Sequence, residues 1–235
     1  MSEAQDKSII AYIMNDYTIY ITSNGKMYAN KDMSGYFWYF TGLVNMKGLE
    51  NVDTSQVTNM QSMFYGASGL TALDLRNFDT ARVTNMEGMF CGASGLTALD
   101  LSNFDTSQVT AMSNMFYGVS GLAALDVSNF DTSQVTSMSY MFYGASGLTA
   151  LDVSSFDTSQ VTNMGSMFRD CSSLTELDLS NMTFDGVTRF GYGNMFEGVP
   201  NNIHIKVKGE AAKAFIEARL AEANITEGVV EIVSR

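Results

Sequence analysis

The sequence predicts an α/β repeat solenoid: a leucine-rich-repeat-like right-handed coil with a parallel β-sheet on one face and short helices or 3-10 turns on the other. Two observations carry this. Leu73, Leu99, Leu125, Leu151 and Leu177 stand 26 residues apart, and each opens Leu-Asp-(Leu/Val). A fixed period of this length is the signature of stacked units that bury a shared core. Within a unit, Leu148-Thr-Ala-Leu151-Asp-Val153-Ser-Ser-Phe156 has the LxxLxLxx spacing of a leucine-rich strand segment.

Each element of the unit follows from its residues. Period-two alternation turns Leu151 and Val153 inward and Asp152 and Ser154 outward. Phe78, Phe104, Phe130 and Phe156 stand where such repeats carry Asn, which predicts an internal Phe ladder in place of an Asn ladder. Asp-Thr-Ser then reads as a turn closed by short polar side chains. Val161, Met164, Met167 and Phe168 recur at helical spacing, with Thr162 as N-cap and Gly144 or its equivalents as stop. The chain has 17 Met, and two per unit fill irregular space on this side.

The organisation predicted is an N-terminal cap over 1–46, the solenoid over 47–200 and a C-terminal cap over 201–235. The first is a β-hairpin: strands at Ile9–Ile13 and Tyr17–Ile21, then an Asn24-Gly25 turn before Met27–Ala29. Tyr36 to Phe40 form an aromatic plug into the first coil. The last is β-α-β: alternating Ile203, Ile205 and Val207, a helix over Gly209–Ala223, and a strand at Val229–Val233. His204, the single histidine, points away from the isoleucine face as a solvated cap residue.

Charge narrows the partners. The net charge is −12, and from Glu50 to Ser180 there are 14 acidic residues against Arg76, Arg82 and Arg169. Nucleic acid and anionic lipid need a basic patch, so neither is expected. No apolar run approaches the ~20 residues of a membrane span, so no membrane insertion is expected, and the N-terminus shows no signal peptide. Cys91 and Cys171 lie three units apart and read as free thiols.

Two outward rows are candidate binding surfaces. Asp74, Asp100, Asp126, Asp152 and Asp178 form a ladder, one carboxylate per unit, on the expected concave sheet. Neighbouring charges about 5 Å apart repel by roughly 1 kcal/mol in water and ~3 at an effective dielectric of 20. Three readings are open: solvated groups bonded to flanking Ser and Asn, a stripe for a basic partner, or a weak calcium site. Calcium ranks last, because a flat sheet offers too few oxygens. Tyr65, Tyr117 and Tyr143 follow Met-Phe at equivalent edge positions, with Cys91 and Arg169 in the other two units; exposed tyrosine suits protein or glycan contact. A second row, Asp53, Asp79, Asp105, Asp131 and Asp157, reads as local turn capping, and the adjoining Thr54, Thr80, Thr106, Thr132 and Thr158 sit singly at the same turns. No HExxH, CxxC, phosphate loop or Ser/His/Asp set occurs, so neither an enzyme nor a cofactor is expected.

The motifs LDLSNFDTSQVT, the recurring Met-Phe with SGL, and MFRDCSSLTELDLSN resemble the repeats of BspA-like bacterial surface proteins, over about residues 50–200. IHIKVKGEAAKAFIEARLAEANI is similar to the segment that closes such arrays. The resemblance implies a leucine-rich-repeat-like fold, cell-surface display, and adhesion to a host protein or glycan. The contrasting expectation is a structural spacer or variable coat element with no fixed ligand.

Overall fold

Each 26-residue unit closes one coil of a parallel-strand β-solenoid of about eight turns. The computed structural model describes residues 10–13, 17–22, 27–188 and 191–234. The interior of one unit is filled by Leu125, Val127, Phe130, Val135, Met138, Met141, Phe142, Ala145 and Leu148, all buried, and the same places are apolar in every neighbouring coil. No unit closes this core alone, so stacking drives folding.

At the N-terminal end, β1 (Ile10–Ile13) is antiparallel to β2 (Thr18–Thr22), and β2 runs parallel to β4 (Asn45–Lys47). β3 (Met27–Tyr28) pairs in parallel with β5 (Val52–Asp53), which follows a 3-10 turn at Leu49–Asn51. So the strand after Asn24-Gly25 does not fold back on β2 but joins a different sheet; those two residues lie outside the described ones. At the other end, β6 (Ala150–Asp152), β7 (Glu176–Asp178), β8 (His204–Val207) and β9 (Val229–Ile232) form a parallel sheet. Helix α1 (Gly209–Glu222) links β8 to β9 and buries Ile216 and Leu220.

The leucine face alternates as expected: Leu151 and Val153 are buried while Asp152 is exposed. Its sheet is confined to the last units, however. The longest-running strand contact lies elsewhere, in single-residue parallel bridges along Asp32, Asn59, Asn85, Ala111, Ser137 and Asn163.

Of the short helices or 3-10 turns expected on the Met-Phe face, the helices are not found: among the described residues of the repeats this segment is a series of tight turns closed by i, i+3 hydrogen bonds. In each Met-x-x-Met the third residue has positive φ, as at Ser62, Gly88, Asn114, Tyr140 and Ser166, and a second such residue follows at Gly66, Gly92, Gly118, Gly144 and Asp170. That conformation suits the third position of a type II turn and stops a helix. N–H groups then alternate. Met115 donates to Met112 within its turn (3.3 Å), whereas Phe116 donates to Met141 of the next coil (2.9 Å). The i, i+3 spacing of the apolar residues is thus a turn period. Thr162 caps no helix; its hydroxyl donates to the carbonyl of Thr136 at 3.3 Å.

The expected ladder of Phe78, Phe104, Phe130 and Phe156 is also corrected. These rings are buried, but the stacked column is Phe37, Phe64, Phe90, Phe116, Phe142, Phe168 and Phe196, with centroids 5.4–5.9 Å apart and planes within 11°. An Asn ladder exists one residue before the other Phe row. Asn103 Nδ2 donates to the carbonyls of Leu75 (3.1 Å) and Phe78 (2.8 Å), and Asn129 does the same to Leu101 (3.0 Å) and Phe104 (2.9 Å). Glycine sets the coil spacing: a Cβ at Gly121 would lie 2.5 Å from the Leu96 carbonyl oxygen and 2.6 Å from that of Ser94.

Candidate binding surfaces

The aspartate ladder is built from turns. Oδ1 of Asp74, Asp100, Asp126, Asp152 and Asp178 accepts the backbone N–H two residues on, at 3.3, 3.0, 3.0, 2.9 and 2.9 Å. These charge-assisted bonds offset the repulsion between neighbouring carboxylates. At Asp74, Asp100 and Asp126 such bonds lower the proton affinity of the carboxylate. The Arg76 side chain, then its N–H, holds Asp74 below the ordinary carboxylate value; the Ser102 hydroxyl and then its N–H do so for Asp100; for Asp126 the Ser128 N–H leads. Arg76 donates to Asp74 through Nε and Nη2, at 2.9 and 2.6 Å. Asp178 departs from the row. It is buried at 8% exposure, with Ser180 beside it, in register with Lys206 of β8.

The second row caps its turns as expected: Asp105 accepts from the Ser107 N–H at 3.0 Å, and Asp131 from Ser133 at 2.9 Å. The adjoining threonines are not surface turn residues. Thr54, Thr80, Thr106, Thr132 and Thr158 are 1–2% exposed, and each hydroxyl joins its coil to the next. The sequence signal for this was available, since Thr is repeated without variation where Ser would serve an open turn equally well.

The edge tyrosines occupy one column. Tyr117 and Tyr143 stack at 4.6 Å with planes 2° apart, and the Arg169 guanidinium lies 5.8 Å from the Tyr143 ring centre. Cys91 fills the gap between Tyr65 and Tyr117; burial pushes its thiol up to about 11, so it stays protonated and unreactive at neutral pH. The Tyr65 phenol is pushed up to about 12, first by charge repulsion from Cys91 and then by burial. Cys171 is buried, and that burial raises it to about 12.

The aromatic plug proves to be split. Phe37 stacks on Phe64 in the column, but Tyr36, Trp38 and Tyr39 are 43%, 56% and 60% exposed. The alternating turn explains this, since successive side chains cannot all face inward. Trp38 occupies the place of Tyr65, and Tyr39 that of Gly66, because Phe37 aligns with Phe64. Tyr39 holds the positive φ (59°) that glycine holds in the next four coils. An L-residue there costs on the order of 1–3 kcal/mol.

His204 is half-buried, with Glu176 Oε2 3.3 Å from Nδ1 and Glu231 Oε2 3.0 Å from Nε2. The two carboxylates take opposite sides of the imidazole and do not converge on a shared point. Among the described residues no group of three His, Cys, Asp or Glu side chains could hold a metal ion, and no helix is long and apolar enough to cross a membrane.

These features define a repeat protein of the β-solenoid class, with a closed apolar interior and polar and aromatic rows outside. The chain belongs to the family described as Mycoplasma protein of unknown function, DUF285, which matches residues 31–124 and again 97–206. The overlap of the two matches is what an array of interchangeable units produces. No curated protein and no solved structure matches the chain.

Proposed function

We propose that this chain is a non-catalytic interaction module of a bacterial cell surface, of the BspA-like, leucine-rich-repeat-like kind, which adheres to host proteins or glycans through its aromatic edge. The observation that carries the reading is the column of Tyr65, Tyr117 and Tyr143, flanked by the exposed Trp38, Tyr39 and Tyr140. The core is filled without these rings, and stacked tyrosines offer rigid, amphipathic contact area at little entropic cost. The Asp100, Asp126 and Asp152 carboxylates present a negative row to a basic partner as a second contact. The N-terminal hairpin and the C-terminal β-α-β unit serve as caps for the open ends of the core.

The non-catalytic part of the reading rests on the state of the nucleophile and base candidates. The thiols are buried and protonated, and the single imidazole is held between two glutamates. A spacer function is the second reading, and the identical Thr relay favours it, because it lets units stack in any number.

The test is binding of the chain to a panel of host matrix proteins and neutral glycans, with Tyr117→Ala/Tyr143→Ala and Asp100→Asn/Asp126→Asn/Asp152→Asn as comparisons. Saturable binding lost in the tyrosine variant supports the edge. Loss in the aspartate variant alone moves the contact to the acidic row. No binding across the panel favours the spacer.

A further inference from the structure

We propose that the N-terminal edge holds a sugar subsite: an open cleft of about 380 Å³ between Tyr17 and Tyr39 that takes a neutral pyranose. The inference names a ligand class for the aromatic-edge reading and rests on it, at residues other than the Tyr117–Tyr143 stack.

Phe40, Thr41, Gly42 and Leu43 complete the cleft. Its two tyrosines are the most exposed large apolar side chains among the described residues, at 62% and 60%. Both have positive φ, 58° and 59°. Neither core packing nor backbone preference selects tyrosine at such a place. At Tyr39 the comparison is internal, since Gly66, Gly92, Gly118 and Gly144 fill the same position in the following coils. Both residues are nonetheless held. The Tyr17 carbonyl accepts the Val44 N–H at 2.9 Å, and the Tyr39 N–H donates to the Tyr65 carbonyl at 2.7 Å. The Tyr39 ring lies 5.4 Å from that of Tyr65 and 5.5 Å from that of Trp38. Gly42 leaves room beside Tyr17, since even a Cβ there would lie 3.9 Å from the Tyr17 ring.

The lining determines the ligand. None of the six lining residues is charged, so the cleft has no partner for an ionised group, and a chain of net charge −12 disfavours an anion. Two open rings demand an apolar face, and a site this exposed demands a ligand whose other face stays hydrated. A pyranose supplies both, with C–H groups for the rings and hydroxyls for water. A volume of about 380 Å³ sits at the small end of the ~300–1,000 Å³ range of small-molecule sites. A polyproline segment repeats every three residues, roughly 9 Å, and docks across a longer aromatic-lined groove, whereas this is one compact cleft.

The experiment titrates the intact chain with lactose, maltose and N,N′-diacetylchitobiose. It follows the fluorescence of Trp38, the single tryptophan, and repeats the titration with Tyr39→Gly and Tyr17→Ala. At least one disaccharide should give a saturable change, and each variant should weaken it at least tenfold. Tyr39→Gly should not lower the melting temperature, because relief of the positive φ offsets the lost contacts with Trp38 and Tyr65. Three results would overturn the subsite: no disaccharide response, full affinity in both variants, or a response only to a proline-rich peptide. If sugar binding instead vanishes in Tyr117→Ala/Tyr143→Ala while both cleft variants bind normally, the edge reading stands and the cleft falls. If neither sugars nor matrix proteins bind, both fall.

Discussion

The hydroxyl of Thr106 donates to the backbone carbonyl of Asp131 at 2.9 Å and accepts the backbone N–H of the same residue at 2.8 Å. One side-chain oxygen thus satisfies both main-chain groups of a residue in the next coil. The arrangement repeats from Thr54 to Thr158, where Thr183 takes the place of aspartate. Replacing Thr106 by Val keeps the shape and leaves a buried donor and acceptor unpaired. We expect a loss of about 2–4 kcal/mol on denaturant unfolding. Thr106→Ser should lose less than about half of that, and equal losses would show that packing, not the hydroxyl, holds the coils.

The stacked column makes a second expectation. Phe116 has a ring on either side, Phe90 at 5.8 Å and Phe142 at 5.6 Å. Phe130 is equally buried but meets Phe116 at 6.4 Å with a 30° tilt. Alanine at either position should cost roughly 3–5 kcal/mol through cavity formation. Leucine should separate them, with Phe116→Leu the worse by about 1 kcal/mol or more for two lost aromatic pairs. Equal melting temperatures for the two leucine variants would contradict the stacking account.

Acid should weaken the molecule in a defined direction. Asp74, Asp100, Asp105, Asp126 and Asp157 titrate below the ordinary carboxylate value because each accepts from the residue two on. The unfolded chain binds protons first, near pH 4, so the stabilisation is complete above that value and is lost as the pH falls through the folded ones. Asn keeps the turn's acceptor oxygen without the charge. Asp100→Asn/Asp126→Asn should therefore melt below the parent at pH 7 and lose less of its melting temperature between pH 4 and 2, so that the two converge in acid. Parallel pH curves for variant and parent would contradict this.

Units should be removable. Deleting residues 105–130 joins two coils whose Thr, Asn and Phe ladders remain in register, so a folded, shorter rod is expected. Circular dichroism and a cooperative melt check it, and an unfolded product would show that the coils are not interchangeable.

The repeat, its inward residues and the terminal β-α-β order were legible because a 26-residue period exposes every buried position several times over. Leu125, Val127 and Phe142 could be placed by spacing alone. The turns were not legible that way. Met at i, i+3 fits a helix and a series of tight turns equally, and only the φ demanded at Gly118 or Asn114 separates them. Thr106 looked like an ordinary turn residue because its partner lies 25 residues on. Asp178 belongs to the outward row by spacing, and its burial beside β8 depends on the end of the array. Of the candidate sites, the Tyr117–Tyr143 pair was visible as a repeated position. Tyr39 was hidden because the first coil diverges too far to align without the Phe37–Phe64 stack.

The most direct test of the central claim is one binding isotherm, taken with a melting curve on the same sample, for the parent and for Tyr117→Ala/Tyr143→Ala against whichever matrix protein or glycan the panel returns. The account predicts at least a tenfold loss of affinity in a variant that still melts cooperatively, with stability lowered by only about 1 kcal/mol for the lost Tyr117–Tyr143 stack, because the half-buried rings lie outside the closed core. Unaltered affinity in a folded variant would contradict it.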